Sequence, residues 1–306
     1  MPAERFDHFM ARANAAYYAS GRFGRDFVTA PEITQVFGEL LGAWAKIVWQ
    51  MLGAPGDIIL AEAGPGRGVL MADALRVWPM PNVHFIETSP ALRAEQRARV
   101  PNAHWHGSLA TIPAGPMILL ANEFLDALPV RQFIHREAGW MERFVDQERY
   151  VEQPTDYELP DDPIGSVREV NEAALDFCQK LAARQAVALF IDYGPLHSAA
   201  GESVQAIRSG VYADPLSNAG EADLTAHVDF AALKRVVHAQ GPVKQNHFLT
   251  ALGLYQRSDA LAQRNPDKAL DLRLSVQRLT APEAMGSLFK VLALCPPDLP
   301  ILPGFA

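Results

Sequence analysis

Only two cysteines, Cys178 and Cys295, occur in 306 residues, and they form no CxxC pair. That excludes a zinc ribbon and a thiol redox motif. The nine histidines show no HExxH or HxxxH spacing, so no metal site is expected. No apolar run reaches the roughly 20 residues that span a bilayer. The start, Met1-Pro2-Ala3-Glu4-Arg5, lacks the charged-then-apolar pattern of a secretory leader. Cationic charge is also scarce: 27 Lys and Arg against 35 Asp and Glu leave a net charge of −8. A broad electrostatic grip on nucleic acid or an anionic membrane is thereby disfavoured. Charged residues total 20% and hydrophobic residues 49%, which argues for a packed core rather than disorder. Two distant thiols suit a reducing compartment, and a cytoplasmic protein without membrane insertion is the expectation.

What is present is a run of strand-then-helix units. Residues 1–55 read as a helical segment, with Phe6, Phe9, Met10 and Ala13 at helical spacing and a second apolar face from Ile33 to Trp44. From residue 56 to 306 the pattern is α/β. Short apolar strands start at Ile58, Val83, His104, Met117 and Ala186, and a last one covers Leu288–Leu294. Continuous apolar strands alternating with helices imply a doubly wound, mostly parallel sheet covered on both faces. Residues 131–165 alternate polar and apolar, as an inserted hairpin does, and residues 195–226 form a second, Gly/Ser/Asp-rich insertion. Helices are expected over 167–184 and 229–240, and Trp44, Trp49 and Trp78 are expected in the core. Arg93, Arg97 and Arg99 read as a solvated helix face.

The chemistry concentrates where the first strand runs into Glu62-Ala63-Gly64-Pro65-Gly66-Arg67-Gly68. Glycines let the backbone turn sharply and approach a ligand, and the next helix N-terminus offers unpaired N–H groups. Glu87 ends the following strand, where a carboxylate can accept the ribose hydroxyls of a nucleoside. The glycines fall as GxGxG, and the third dinucleotide position is Val69, which weakens the case for NAD. Glu62 suits a cationic ligand group, such as the ammonium of a methionine moiety. S-adenosyl-L-methionine therefore fits better than a dinucleotide. Thr88 beside Glu87, Ser108 and Leu109 after the third strand, and Asn122 after the fourth complete the expected cofactor wall.

Eight ordered segments, that loop among them, carry a more specific pattern. They include Asp26-Phe27-Val28-Thr29-Ala30-Pro31-Glu32-Ile33, Phe37-Gly38-Glu39-Leu40, Gly64–Gly68, Glu87-Thr88-Ser89-Pro90 and Asn122-Glu123-Phe124-Leu125-Asp126-Ala127-Leu128-Pro129-Val130. The rest are Asp192-Tyr193-Gly194, 222–230 and Met285-Gly286-Ser287-Leu288-Phe289-Lys290-Val291. Together they resemble the MidA family of class I methyltransferases, which includes a mitochondrial arginine methyltransferase of complex I assembly. The chain departs from the family at Gln245-Asn246-His247, where a glycine is lost. The resemblance implies a Rossmann-like class I fold with one antiparallel strand and helical and hairpin insertions. It also implies S-adenosyl-L-methionine as methyl donor, and a protein acceptor such as a respiratory-complex subunit. It makes Thr29, Pro31 and Glu32 part of a loop covering the cofactor, although Thr29 and Pro31 also fit a plain helix start.

Methyl transfer needs positioning more than acid–base power. Glu123 and Asp126 follow a buried strand, and two carboxylates there could hold a guanidinium through charge-assisted hydrogen bonds. Tyr193 is placed to line the acceptor pocket. The plain alternatives are a turn-capping Asp126, a solvated Glu123 and a rim tyrosine. Three rival functions remain: a noncatalytic cofactor-binding assembly factor, a small-molecule methyltransferase and, least favoured, an NAD-dependent oxidoreductase.

Overall fold

A computed structural model describes residues 3–20, 28–80 and 82–306. A two-residue strand β1 (Glu4–Arg5) leads into α1 (Phe6–Ala19), followed by α2 (Ala30–Ile33) and α3 (Gln35–Met51). Thr34 caps α3 by accepting the Val36 N–H at 3.3 Å. Then come β2 (Ile59–Ala63), α4 (Val69–Val77), β3 (Val83–Ile86), α5 (Pro90–Arg99), β4 (His104–His106) and β5 (Met117–Asn122). The hairpin region holds β6 (Arg131–Arg136), β7 (Gly139–Asp146), β8 (Arg149–Pro154) and β9 (Val167–Val170). The chain returns through α6 (Glu172–Ala183) to β10 (Val187–Tyr193), then leaves again for β11 (Gln205–Arg208), β12 (Val211–Ala213) and β13 (Asp223–Thr225). It ends with α7 (Phe230–Val236), β14 (Ala239–Lys244), α8 (Gln245–Ala251), α9 (Leu254–Arg264), α10 (Ala269–Thr280), α11 (Met285–Leu288) and β15 (Phe289–Leu294).

Among the described residues, the main sheet has seven strands in the order β14-β15-β10-β5-β2-β3-β4. β10, β5, β2, β3 and β4 are parallel, and β15 runs antiparallel to both its neighbours. The apolar strands bury both faces because each face has its own core. Leu60, Ile118, Leu120 and Leu189 pack with α3, α4 and the α8–α10 helices. Ala61, Leu119, Ala121 and Phe190 pack with Cys178 and Leu181 of α6 and Phe230 of α7. Trp44 and Trp78 are buried in the first of these cores, with Trp49 packed against it. Helices α3 and α4 meet closely: a Cβ on Gly42 would lie 2.4 Å from the Ala74 carbonyl oxygen, so only glycine fits there.

A third core joins α1, through Phe6, Phe9 and Met10, to Val130, Val145 and Leu224. Asn14 of α1 seals it by donating to the Ala127 and Leu224 carbonyls at 3.0 and 2.8 Å and accepting the Leu224 N–H at 3.0 Å. The N-terminal helix is thus fastened both to the loop after β5 and to β13.

Two helix expectations are corrected. Residues 167–184 do not form one helix: Val167–Val170 pairs with β6, and α6 starts only after Asn171, whose side chain accepts the Ala174 N–H. The helix expected over 229–240 stops at Val236, and 239–244 is strand β14, paired with β15. Asp229 does cap α7, accepting the Ala232 N–H at 2.8 Å. No helix among the described residues is long and apolar enough to cross a membrane.

Candidate active site

The C-terminal ends of β2, β3 and β5 open onto a cavity of about 570 Å³, within the usual range for small-molecule sites. Glu87, Thr88, Ser108 and Leu109 line one side of it, and Asn14 and Tyr18 of α1 another. A second, narrow cavity of about 30 Å³ is lined by Thr29, Pro31, Glu32, Glu62 and Asn122. Gly64, Gly66 and Glu123 line both.

The glycine loop is shaped by its backbone. Gly64 has φ +64°, and a Cβ there would press within 2.9 Å of the Phe124 ring. Gly68 lines neither cavity. It is the left-handed residue before α4, packed against Gln96 of α5, so its place is structural in this geometry.

Glu87 is buried and already oriented. One of its oxygens accepts the Ser89 N–H at 2.7 Å, and the other accepts from Gln96 Nε2 at 3.2 Å. Burial raises its pKa, against the pull of these donors. Arg93 donates to the Glu87 carbonyl at 2.8 Å, and the Arg97 guanidinium lies over the Trp105 ring. Arg97 and Arg99 are exposed, as a solvated helix face requires, and only Arg93 is half-buried.

At the narrow cavity two acceptors stand unpaired among the described residues, beside the Arg67–Glu32 ion pair. Glu62 is buried, and burial pushes its pKa up to about 8. It takes one backbone hydrogen bond from Met71, while its Oε2 and the Asn122 Oδ1 have no partner among the described residues. Buried acceptors left unpaired are costly, and an ammonium group would supply the missing donors. The residues therefore fit the amino-acid end of S-adenosyl-L-methionine. Glu123 stands at the junction with φ +51°, an uncommon conformation for a non-glycine residue. Its Oε1 accepts the Ala30 N–H at 3.2 Å and Asn122 Nδ2 at 3.1 Å. Burial, with the charge of Asp126 adding to it, raises its pKa to about 8.

The short helix α2 closes over this point. Arg67 of the glycine loop donates Nε to Glu32 Oε1 at 2.9 Å, pinning α2 from its other end. Glu32 is thus engaged by a protein cation. Thr29 precedes α2 without a side-chain capping bond. Asp26 and Phe27, which open the first of the eight segments, lie outside the described residues, as do Gly21 and Gly24 upstream.

Asp126 and Tyr193 line neither cavity. Asp126 is buried behind the Glu123 loop, hydrogen-bonded to Tyr193, and its Oδ1 has no partner among the described residues. Tyr193 packs edge-on against Phe289 and His227. The group that sequence reasoning left unused is Asp192. Its Oδ2 accepts three successive N–H groups, from Phe124, Leu125 and Asp126, at 3.2, 2.9 and 3.2 Å, and this cradle holds the loop carrying Glu123. Gln245 and His247, at the departure from the family pattern, sit on α8, bonded to the Leu279 and Ala306 carbonyls and outside both cavities.

A family model described as "Putative S-adenosyl-L-methionine-dependent methyltransferase" matches residues 40–248. A Drosophila melanogaster protein, "Protein arginine methyltransferase NDUFAF7 homolog, mitochondrial", is 32% identical, covering 96% of this chain and 81% of its own length. The Homo sapiens relative, "Protein arginine methyltransferase NDUFAF7, mitochondrial", is 31% identical over 89% of this chain and 74% of its own. A Burkholderia thailandensis protein crystallised with S-adenosyl-homocysteine superposes with a TM-score of 0.86 at 27% identity, covering 99% of this chain and 90% of that one. The cytoplasmic expectation is overturned by these comparisons, since the curated relatives are mitochondrial by name. Two unpaired thiols fit any reducing compartment, so cysteine usage had no power to choose among them.

Proposed function

The chain belongs to the MidA-like family of S-adenosyl-L-methionine-dependent methyltransferases, and from that premise we propose that its acceptor is an arginine side chain of a protein. The cofactor supplies an electrophilic methyl group on sulfur. The observation that carries the acceptor reading is Glu123, a half-buried carboxylate at the junction of the two cavities. A guanidinium is cationic at any working pH, and its approach would draw Glu123 back to the ionised form. Forked hydrogen bonds to that carboxylate would orient it and leave one nitrogen turned toward the donor. Asp126 supports Glu123 from behind. Tyr193 acts through Asp126 rather than by touching the acceptor.

The cofactor assignments follow the two cavities. Glu62 and Asn122 take the ammonium in the narrow one, with Thr29 and Pro31 as cover. Gly64 and Gly66 approach the centre. Glu87 holds the ribose, and Thr88, Ser108 and Leu109 border the base. Helices on both faces make the sheet doubly wound in this reading, with 131–165 and 195–226 as insertions and 1–55 as the covering segment. Among proteins, a respiratory-complex subunit is the first acceptor to test.

The test is transfer of tritiated methyl into a cell extract, followed by hydrolysis to amino acids. Label in methylarginine is expected. Label in a small molecule would overturn the acceptor reading, and cofactor binding without any labelled product would favour an assembly factor. Glu123→Gln is expected to cut turnover by about tenfold or more, the loss of one charged hydrogen bond, with cofactor affinity nearly unchanged.

A further inference from the structure

The side chain of Gln96 is wholly buried in the middle of α5, a helix whose other polar residues reach the surface or its edge. Its amide makes three hydrogen bonds to three different elements. Nε2 donates to the Gly66 carbonyl at 2.7 Å and to Glu87 Oε2 at 3.2 Å, and Oε1 accepts Trp105 Nε1 at 2.8 Å. An amide has two donors, so both are spent here, one on the glycine loop and one on the carboxylate that ends β3. The stem of the side chain packs under Gly68 as well. Trp105 holds the amide from β4, directly before Gly107, Ser108 and Leu109 of the cavity wall.

We infer that Gln96 is a positioning residue for the cofactor's ribose: it fixes the rotamer of Glu87 and locks that carboxylate to the glycine loop. This inference rests on the reading of Glu87 as the ribose ligand. Glu87 Oε1 is turned by the Ser89 N–H and Oε2 by Gln96, so both oxygens are aimed before any ligand arrives. A carboxylate held this way loses little entropy on binding, and removing one holder lets it rotate away from the hydroxyls.

The experiment compares calorimetric affinities for S-adenosyl-homocysteine and its 2′-deoxyadenosyl counterpart in the wild type, Gln96→Glu and Gln96→Met. The wild type is expected to prefer the ribose form by about tenfold, as one charged hydrogen bond gives. In both variants that preference is expected to fall below about threefold, because the carboxylate no longer faces the 2′-hydroxyl. A merely structural role would weaken both ligands equally and keep the preference, which would overturn the inference. If the wild type itself shows no preference, the ribose reading of Glu87 is what fails. If neither Gln96 variant folds, Trp105→Phe frees the amide from its anchor on β4. A preference reduced in that variant supports the role, and an unchanged one overturns it.

Discussion

The two cavities share Gly64, Gly66 and Glu123 yet differ in how they are built. The wide one lies between strand ends and α1, with its main buried charge, Glu87, already held by two donors. The narrow one gathers Glu62 and Asn122, each with an oxygen that nothing among the described residues satisfies. A satisfied wall is rigid and serves shape. An unsatisfied wall waits for a ligand that carries donors. The contrast implies that affinity for the cofactor is divided: the wide cavity recognises by fit and the narrow one by charge.

The sharpest way to break this division is at the shared glycine. Alanine at Gly64 would face a φ of +64° and the Phe124 ring at 2.9 Å together. A left-handed alanine alone costs about 1–2 kcal/mol. The loop would relieve both by shifting, which takes it off both walls. Gly64→Ala is therefore expected to weaken S-adenosyl-homocysteine by about 30-fold or more, measured by calorimetry. A loss below about threefold would mean that the loop does not approach the ligand.

That glycine loop was legible in the sequence because strand, turn and helix are contiguous, and so was Glu87, placed by the end of its own strand. Glu123 was legible for the same reason. Gln96 and Asp192 were not. Gln96 sits among arginines on a helix of low apolar content, and nothing in helical periodicity says that one glutamine turns inward. Asp192 serves a loop 66 to 68 residues away in the chain, through backbone groups that carry no sequence signal. Strands β9 and β14 were missed because each adjoins a helix and has few apolar residues. Their pairing with β6 and β15 decides them instead.

The charged half of the contrast can be read through pH. Burial pushes both Glu62 and Glu123 from 4.5 to about 8, so the folded, cofactor-free protein keeps protons that the unfolded chain has released. The stability from these groups is then fully present below about pH 4.5 and is lost as pH rises through about 8. The melting temperature of the free protein is expected to fall from about pH 5 to about pH 8. Cofactor affinity is expected to rise over the same window, because an ammonium favours the ionised carboxylate. Glu62→Gln is expected to flatten that rise, since Glu123 faces the acceptor rather than the ammonium. A variant that keeps the full slope would assign the ammonium to another group.

The smallest effect belongs to the ion pair that pins the cover helix. Arg67 and Glu32 are 35% and 17% exposed, so water screens their attraction and the pair is worth no more than about 1 kcal/mol. Helix α2 keeps a second tether, the Ala30 N–H on Glu123. Arg67→Gln is accordingly expected to weaken cofactor affinity by about fivefold at most, with the difference from wild type shrinking as salt is raised. Glu32→Gln is expected to match it, and the double variant to cost no more than either single change, since both remove one interaction. Arg67 and Glu32 both line the narrow cavity, so the alternative is direct contact with the ligand. A loss of about 30-fold in Arg67→Gln, unmatched by Glu32→Gln, would show that the arginine holds the cofactor's carboxylate itself, and the narrow cavity would then recognise both charges of the amino-acid end.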